Sequence, residues 1–313
     1  MSIPPPAGSV IQTPGAALVN TGPNARALVS LLRPQQWTKN LLIVAVPLVV
    51  APQAVPGHGW ALLTATTAFC LVSSLVYIVN DLYDADRDLL HPVKRHRPLP
   101  SGRVSRSQAL VLLSALGATV CGGLAVATKS GTLRPATVGI LVAYLTMNVL
   151  YSSRLKHLPL IDVFVVAAGF VLRSVAGSLA AGIDVNAWLN LCLYSACLFL
   201  FFGKRRHELA SSSAGQSHRP ALTNLSVPFL DHLLVLTMTL TLVGYSFFIW
   251  SSMAHPALTV ALTYPFALFG VVRYLQLVLL EDSGGDPTDT LSRDRALLGT
   301  AAGWVLMLVV AAL

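Results

Sequence analysis

Residues 69–88 read FCLVSSLVYIVNDLYDADRD. The first half is apolar enough for a membrane helix. The second half carries Asp81, Asp84, Asp86 and Asp88, in a chain of 313 residues with only 13 Asp and Glu. A carboxylate at the end of a hydrocarbon-bound helix is costly and needs a partner. If the helix runs past Asn80, Asp81, Asp84 and Asp88 follow i, i+3, i+7 spacing and share one face with Asn80. Asp86 points the other way and reads as solvated. Like charges this close repel unless a cation sits between them. Their hard oxygens suit Mg2+, which takes one or two carboxylates and completes its shell with substrate phosphates. A simple solvated helix end is the competing reading, but it gives no reason for three acids on one face.

The stretch continues into HPVKRHRPLPSGR, where Lys94, Arg95, Arg97 and Arg103 follow the acidic face. Such cations can anchor on lipid headgroups. Beside an acidic stripe they also match a magnesium diphosphate, because the metal neutralises part of the charge and the cations take the rest.

Composition places this stretch in a membrane protein. Hydrophobic residues make up 54% and charged residues 11%, against roughly 25% charged in soluble domains. The mean hydropathy is +0.68. Nine stretches are long enough to cross a bilayer: 38–54, 60–80, 107–127, 134–152, 160–181, 187–203, 230–252, 256–279 and 295–313. Pro47 and Pro52 bend the first. The longest polar segments are 81–106, 204–229 and 280–294. Residues 1–24, rich in Pro, Gly and small side chains, read as a disordered tail without signal-peptide features. Residues 25–313 read as one nine-helix transmembrane domain, all-α and polytopic.

Charge placement supports that layout. With loops numbered alternately, only Lys129 and Arg134 of the 21 Lys and Arg fall on one side, and Arg173 falls inside a span. The positive-inside rule makes the richer side cytoplasmic and predicts an inner N-terminus and an outer C-terminus. Every acidic residue but Asp184 gathers near the same side, which topology alone does not require. A polar site facing the cytoplasm is the expectation. The net charge of +8 points to this asymmetry and to anionic headgroups rather than to nucleic acid. Cys70, Cys121, Cys192 and Cys197 show no metal or CxxC spacing and read as small buried hydrophobes. No P-loop, GxGxxG or assignable Ser-His-Asp pattern is present.

Further candidates lie at other span ends on the cytoplasmic side. RPQQWTKN contains Arg33, Lys39 and Asn40; it reads as interfacial anchoring or as one wall of the site. NVLYSSRLKHLPLID supplies Tyr151, Lys156 and Asp162, and Asp162 shares a helical face with Arg173. An ionisable side chain at membrane depth is a functional candidate, with a structural ion pair as the alternative for Arg173. FFGKRRHELA supplies Lys204, Arg205 and Arg206, a second phosphate site that Arg219 could join. Lys204 and Glu208 are spaced to pair. The segment EDSGGDPTDTLSRDR reads as a surface connector, with a Gly-hinged lid as the alternative.

NDLYDADRD matches the NDxxDxxxD motif of the UbiA-type intramembrane prenyltransferase superfamily, and KRHRP matches its following KRxRP segment. The resemblance covers nearly the whole chain after residue 25. It implies a nine-helix bundle whose cytoplasmic-side cavity binds a diphosphate through Mg2+. Most members carry a second Asp-rich motif; here that position reads GKRRHELA and is basic. Together with RPQQWTKN and YSSRLKHLPLIDV, this resembles a branch that transfers 5-phosphoribosyl from phosphoribosyl pyrophosphate to a polyprenyl (decaprenyl) phosphate in cell-wall arabinan synthesis. The resemblance implies that Asp81, Asp84 and Asp88, with Asn80, hold Mg2+ on the pyrophosphate. It implies that Lys39, Lys94, Arg97, Tyr151, Lys156, Arg173, Lys204 and Arg205 bind the ribose 5-phosphate and the lipid phosphate. It further implies a multi-pass plasma-membrane enzyme surrounded by membrane lipids, and homo-oligomer assembly is compatible with it. A relative that moves a prenyl chain from prenyl diphosphate onto an aromatic acceptor is the alternative activity. A transporter would need polar residues along several spans, and only Arg173 is a clear mid-span charge.

Overall fold

A computed structural model describes residues 25–211, 225–281, 285 and 287–312. The expected tail at 1–24 and Arg219 lie outside these residues. Among the described residues the chain is helical and holds no strand: α1 Ala25–Leu32, α2 Leu42–Val50, α3 Gly59–Asp88, α4 Arg106–Lys129, α5 Pro135–Ser153, α6 Ile161–Ala180, α7 Ala187–Ser211, α8 Val227–Ser252, α9 Pro256–Leu279, α10 Pro287–Arg293 and α11 Arg295–Ala312. Seven of them, α3 to α9, are long and apolar enough to cross a membrane. The first and last of the nine expected spans take a different form from these seven. The first is a 3-10 helix, Pro34–Leu41, running into the nine-residue α2. Its rises, about 2.0 Å per residue in the first part and about 1.5 Å in the second, sum to about 30 Å. The last is a shorter apolar helix, Arg295–Ala311, at the lower end of spanning length.

Helix ends follow local chemistry. Ser105 and Gln108 cap α4 reciprocally. Pro135 and Pro256 occupy the first turns of α5 and α9, where a missing N–H costs nothing. α3 has 30 residues and is about 45 Å long. It therefore continues straight through Asn80 to Asp88, and the polar segment expected from residue 81 begins as helix.

Four apolar clusters hold the described residues together, and two of them meet on α6. Phe69, Val72, Leu141, Tyr144 and Ala176 join α3, α5 and α6, with Ile43 from α2. Phe199, Phe202, Leu230, Leu234 and Tyr274 join α7, α8 and α9 to Val163 and Ala167 of α6. α6 serves both clusters because its buried positions are mostly small: Ala167, Gly169, Ala176, Gly177, Ser178 and Ala180. Small residues let helix backbones approach closely in membranes. At Gly177 a β-carbon would lie 2.2 Å from the Ile43 carbonyl oxygen. Of the four cysteines only Cys197 is fully buried, and Cys121 is exposed on α4, so the expectation of four buried thiols is corrected.

Gly177→Val is expected to part α2 from α6 and cost about 1–3 kcal/mol by overpacking. Gly122→Ala, where nothing lies within 4 Å of the new carbon, is expected to leave stability equal or higher. Thermal unfolding in detergent measures both; equal midpoints for the two variants would contradict the close α2–α6 contact.

Candidate active site

The last two turns of α3 present the acids, and three other segments bring cations to them. Asp81 is 2% exposed and Asp88 is 5% exposed. Asp81 Oδ1 accepts from Arg33 Nη2 at 2.5 Å and from Arg97 Nη1 at 3.4 Å. The same Arg97 nitrogen donates to Asp88 Oδ2 at 2.7 Å. Lys156 Nζ donates to Asp84 Oδ1 at 2.5 Å and reaches Asn80 Oδ1 at 3.5 Å. One face thus splits into two neighbouring groups, Asp81–Asp88 with Arg33 and Arg97, and Asn80–Asp84 with Lys156. Asp86 points away, is exposed, and pairs with Arg106 on the surface.

Local sequence aims these cations. Arg97 leaves a 3-10 turn in extended conformation, φ −64° and ψ 157°, because the residue before Pro98 avoids the helical region. Arg33 sits before Pro34 in the left-handed region, φ 50°, a costly position for a bulky residue. Its ion pair with Asp81 and its guanidinium 5.0 Å from the Tyr77 ring centre hold it there. Lys156 lies in the short 3-10 helix Leu155–His157 that links α5 to α6.

Arg173 lies deeper, in mid-α6, and is 5% exposed. It donates to Asn40 Oδ1 at 2.7 Å, the Gly169 carbonyl at 2.7 Å and the Tyr144 hydroxyl at 2.8 Å. The Tyr144 and Phe170 rings lie 4.8 Å and 5.4 Å from it, within cation–π range. No carboxylate pairs with it among the described residues. Asp162, on the same face, turns instead across to Arg205 of α7 at 3.0 Å. That contact is close enough for ion pairing, although Arg205 Nε makes no hydrogen bond.

The basic run on α7 does not form one cluster. Arg205 is buried between Asp162 and Glu208. Arg206 donates to Asp231 of α8 at 2.6 Å and to the Val278 carbonyl of α9 at 2.9 Å, so it ties three helices together. Lys204 is half-buried and makes no ion pair among the described residues. The expected Lys204–Glu208 pair is corrected: Glu208 pairs with Arg205, one helical step closer. Lys39 and Lys94 are exposed, and Tyr151 is half-buried near the end of α5.

The segment expected as a connector or lid contains α10, and Arg273 fastens its flanks. Arg273 donates to Glu281 at 2.8 Å and to Asp294 at 2.7 Å. The Arg273 hydrogen bond, reinforced by the Leu297 N–H, holds the Asp294 carboxyl below the ordinary carboxylate range. Asp294 also caps the start of α11.

Sequence reasoning left Tyr144 out of the site and read Arg33 as a flanking cation, while Asn40 stood beside Lys39 as a possible wall residue. Arg33 resembled a headgroup anchor, and Tyr144 looked like one more apolar-span residue. Only their partners across the bundle reveal them.

Arg205→Gln is expected to leave Asp162 buried without its charge partner, at about 3–5 kcal/mol of stability. Lys204→Gln, with no ion pair to lose, is expected to keep the wild-type unfolding midpoint. Parallel thermal scans separate a structural Arg205 from a free Lys204, and a wild-type midpoint for Arg205→Gln would refute that role.

The sequence model of the UbiA prenyltransferase family matches residues 40–290, which include the whole acidic face. The decaprenyl-phosphate phosphoribosyltransferase of Corynebacterium glutamicum is 32% identical over 297 residues, covering 92% of this chain and 87% of the relative. That of Mycobacterium tuberculosis is 30% identical and covers 95% of each. Among solved structures, a UbiA homolog from Archaeoglobus fulgidus bound to GPP and Mg2+ superposes with a TM-score of 0.67 at 18% identity, over 91% of this chain and 98% of the other. A structure describing digeranylgeranylglyceryl phosphate synthase in membranes superposes with a TM-score of 0.68 at 15% identity, over 92% and 98%. The motif on α3, the helical bundle around it and these matches agree: the chain belongs to the UbiA prenyltransferase family.

Proposed function

We propose that this protein is a multi-pass membrane transferase that moves 5-phosphoribosyl from phosphoribosyl pyrophosphate to a polyprenyl phosphate, of the decaprenyl class, and releases pyrophosphate. The observation that carries the reading is the pairing of one acidic face on α3 with cations from three other segments, while the α7 position opposite is basic. Long relatives with the matching printed activity support the donor and acceptor. The site would open to the cytoplasmic side of the plasma membrane, as the distribution of cations predicts.

The donor set fits Mg2+: the carboxylates of Asp81, Asp84 and Asp88 and the Asn80 amide oxygen are hard ligands on one face. Among the described residues no three His, Cys, Asp or Glu side chains come together as a metal site, so one or two of these carboxylates, with phosphate oxygens of the donor, would hold the ion. Bound there, Mg2+ supplies charge neutralisation to the pyrophosphate.

Arg33, Arg97 and Lys156 are paired with the acids. We infer that they exchange partners when the donor enters, turning from carboxylate to phosphate oxygens. They then stabilise the negative charge that develops on the leaving group. The C1–oxygen bond to pyrophosphate breaks and its electron pair leaves with pyrophosphate. An oxygen of the lipid phosphate forms the new bond to C1 from the opposite side, with inversion. That oxygen is already anionic, so no side chain has to remove a proton. Lys39, Lys94, Tyr151 and Lys204 remain candidates for the ribose 5-phosphate and lipid phosphate, with Arg173 deeper in the bundle. Arg205 serves in this reading as a positioning residue between Asp162 and Glu208.

Purified protein with Mg2+, phosphoribosyl pyrophosphate and polyprenyl phosphate is expected to yield pyrophosphate and lipid-linked phosphoribose. Turnover of prenyl diphosphate with an aromatic acceptor, and none with these substrates, would replace this reading by the alternative. Asp81→Asn and Asp84→Asn are each expected to lower the rate by about a hundredfold or more. Near-wild-type rates in folded protein would remove the acids from the mechanism.

Partner exchange has a readout apart from turnover. Mn2+ binding, followed by electron paramagnetic resonance, is expected to tighten about 5–150-fold when pyrophosphate is added, the size of a normal coupling free energy. Lys156→Gln is expected to tighten metal binding without pyrophosphate, since it frees Asp84. Identical Mn2+ affinity with and without pyrophosphate would rule the exchange out.

A further inference from the structure

The end of the bundle opposite the acidic face has a feature that the transferase reading does not use. There α3 and α5 begin and α4 and α6 end. A cavity of about 400 Å³ opens between them, lined by residues that include His58, Trp60, Ser130, Thr132, Arg134 and Ala180. No carboxylate lines it.

Three observations point to an anion. First, Arg134 makes no ion pair among the described residues. Asp184, the acidic residue that charge sorting puts on this side, neither pairs with it nor lines the cavity. Second, two nitrogen groups converge. Arg134 Nη2 and His58 Nε2 both lie 3.0 Å from the point where a side chain on Gly182 would begin. Gly182 has φ +69°, a conformation that favours glycine, so the space before both groups stays open. His58 Nδ1 is 2.9 Å from the Ala54 carbonyl and must donate to it, which leaves Nε2 on the gap that it shares with Arg134 Nη2 beside Gly182.

Third, Arg134 stands where membrane sorting disfavours cations. On this side the sequence supplies only Lys129 and Arg134, and Arg134 is the one at the cavity wall. The Ser130 and Thr132 hydroxyls, 2.9 Å apart, add polar groups to the same wall. Trp60 at the cavity is 79% exposed, as suits a side chain at headgroup depth.

We propose that this cavity binds a phosphate oxyanion, carried by an anionic phospholipid headgroup or free in solution. The Arg134 fork matches phosphate oxygens geometrically, and the volume suits a small polar headgroup. The site lies a full helix length from the acidic face, so it stands or falls independently of the transferase reaction.

The test uses the full chain in nanodiscs of phosphatidylcholine with or without phosphatidylglycerol, and the variants R134Q and K129Q. Native mass spectrometry of the released protein is expected to find phosphatidylglycerol retained by wild type and K129Q and lost from R134Q, which identifies a lipid source. In pure phosphatidylcholine, millimolar inorganic phosphate that raises the unfolding temperature of wild type but not R134Q identifies a free-ion source. If R134Q and wild type respond alike to both phosphatidylglycerol and phosphate, the proposal is overturned. Should R134Q fail to fold, R134K replaces it, keeping the charge without the fork. At least fivefold weaker retention of phosphatidylglycerol or phosphate by R134K is then expected, and equal retention of both overturns the site.

Discussion

A carboxylate that is 2% exposed at the end of a membrane helix is the constraint around which this fold closes. Asp81 cannot stay charged there alone, because the cost of an uncompensated buried charge exceeds most single contributions to stability. Its two cations come from segments that also pack on α3 through Leu31, Leu99 and Val104. Arg33 closes the junction of α1 and the first 3-10 turn. Arg97 pulls the loop after α3 back over the helix end and, through Asp88, fastens it twice. This end of the bundle is therefore shaped by ion pairs as well as by apolar packing. A substrate with more negative charge than the carboxylates can take over the same cations.

The α7 end shows the same physics with another outcome. Three consecutive cations invite a reading as a phosphate site. On a helix, consecutive residues point about 100° apart, so they face three environments. Arg205 turns into the bundle, Arg206 turns to α8 and α9, and Lys204 is left over. A basic run in sequence is thus a poor guide to a basic patch in space. The inference that survives is narrower: this end of α7 holds no second acidic stripe, and two of its three charges are spent on holding helices together.

The sequence reveals much of this because the membrane restricts the choices. Hydrocarbon length and helical periodicity place seven spans, five of them to within three residues at both ends while α3 and α7 run eight residues further as helix, and i, i+3, i+7 spacing puts Asp81, Asp84 and Asp88 on one face. What escapes is whatever depends on a partner distant in the chain. Asn40 and Tyr144 matter because Arg173 meets them across two other helices. The broken first span escapes for a local reason: 3-10 and α turns share one apolar signature, and Pro34 and Pro47 mark its irregularity without fixing which part tightens. Lys156 was legible as a cation near the mouth, but its choice of Asp84 over another acid depends on how α5 turns into α6.

The length of α3 has a consequence for the membrane itself. About 20 of its 30 residues suffice to cross a hydrocarbon core of about 30 Å, which brings the helix from Gly59 to the neighbourhood of Asn80. The acidic stripe begins where the oily layer ends, as a mark on a measuring rod whose other end is set beside Trp60. A thicker bilayer draws that mark into hydrocarbon, and a thinner one lifts it among the headgroups. The lipid composition around the protein thereby becomes a control on how readily a water-soluble donor reaches the acids.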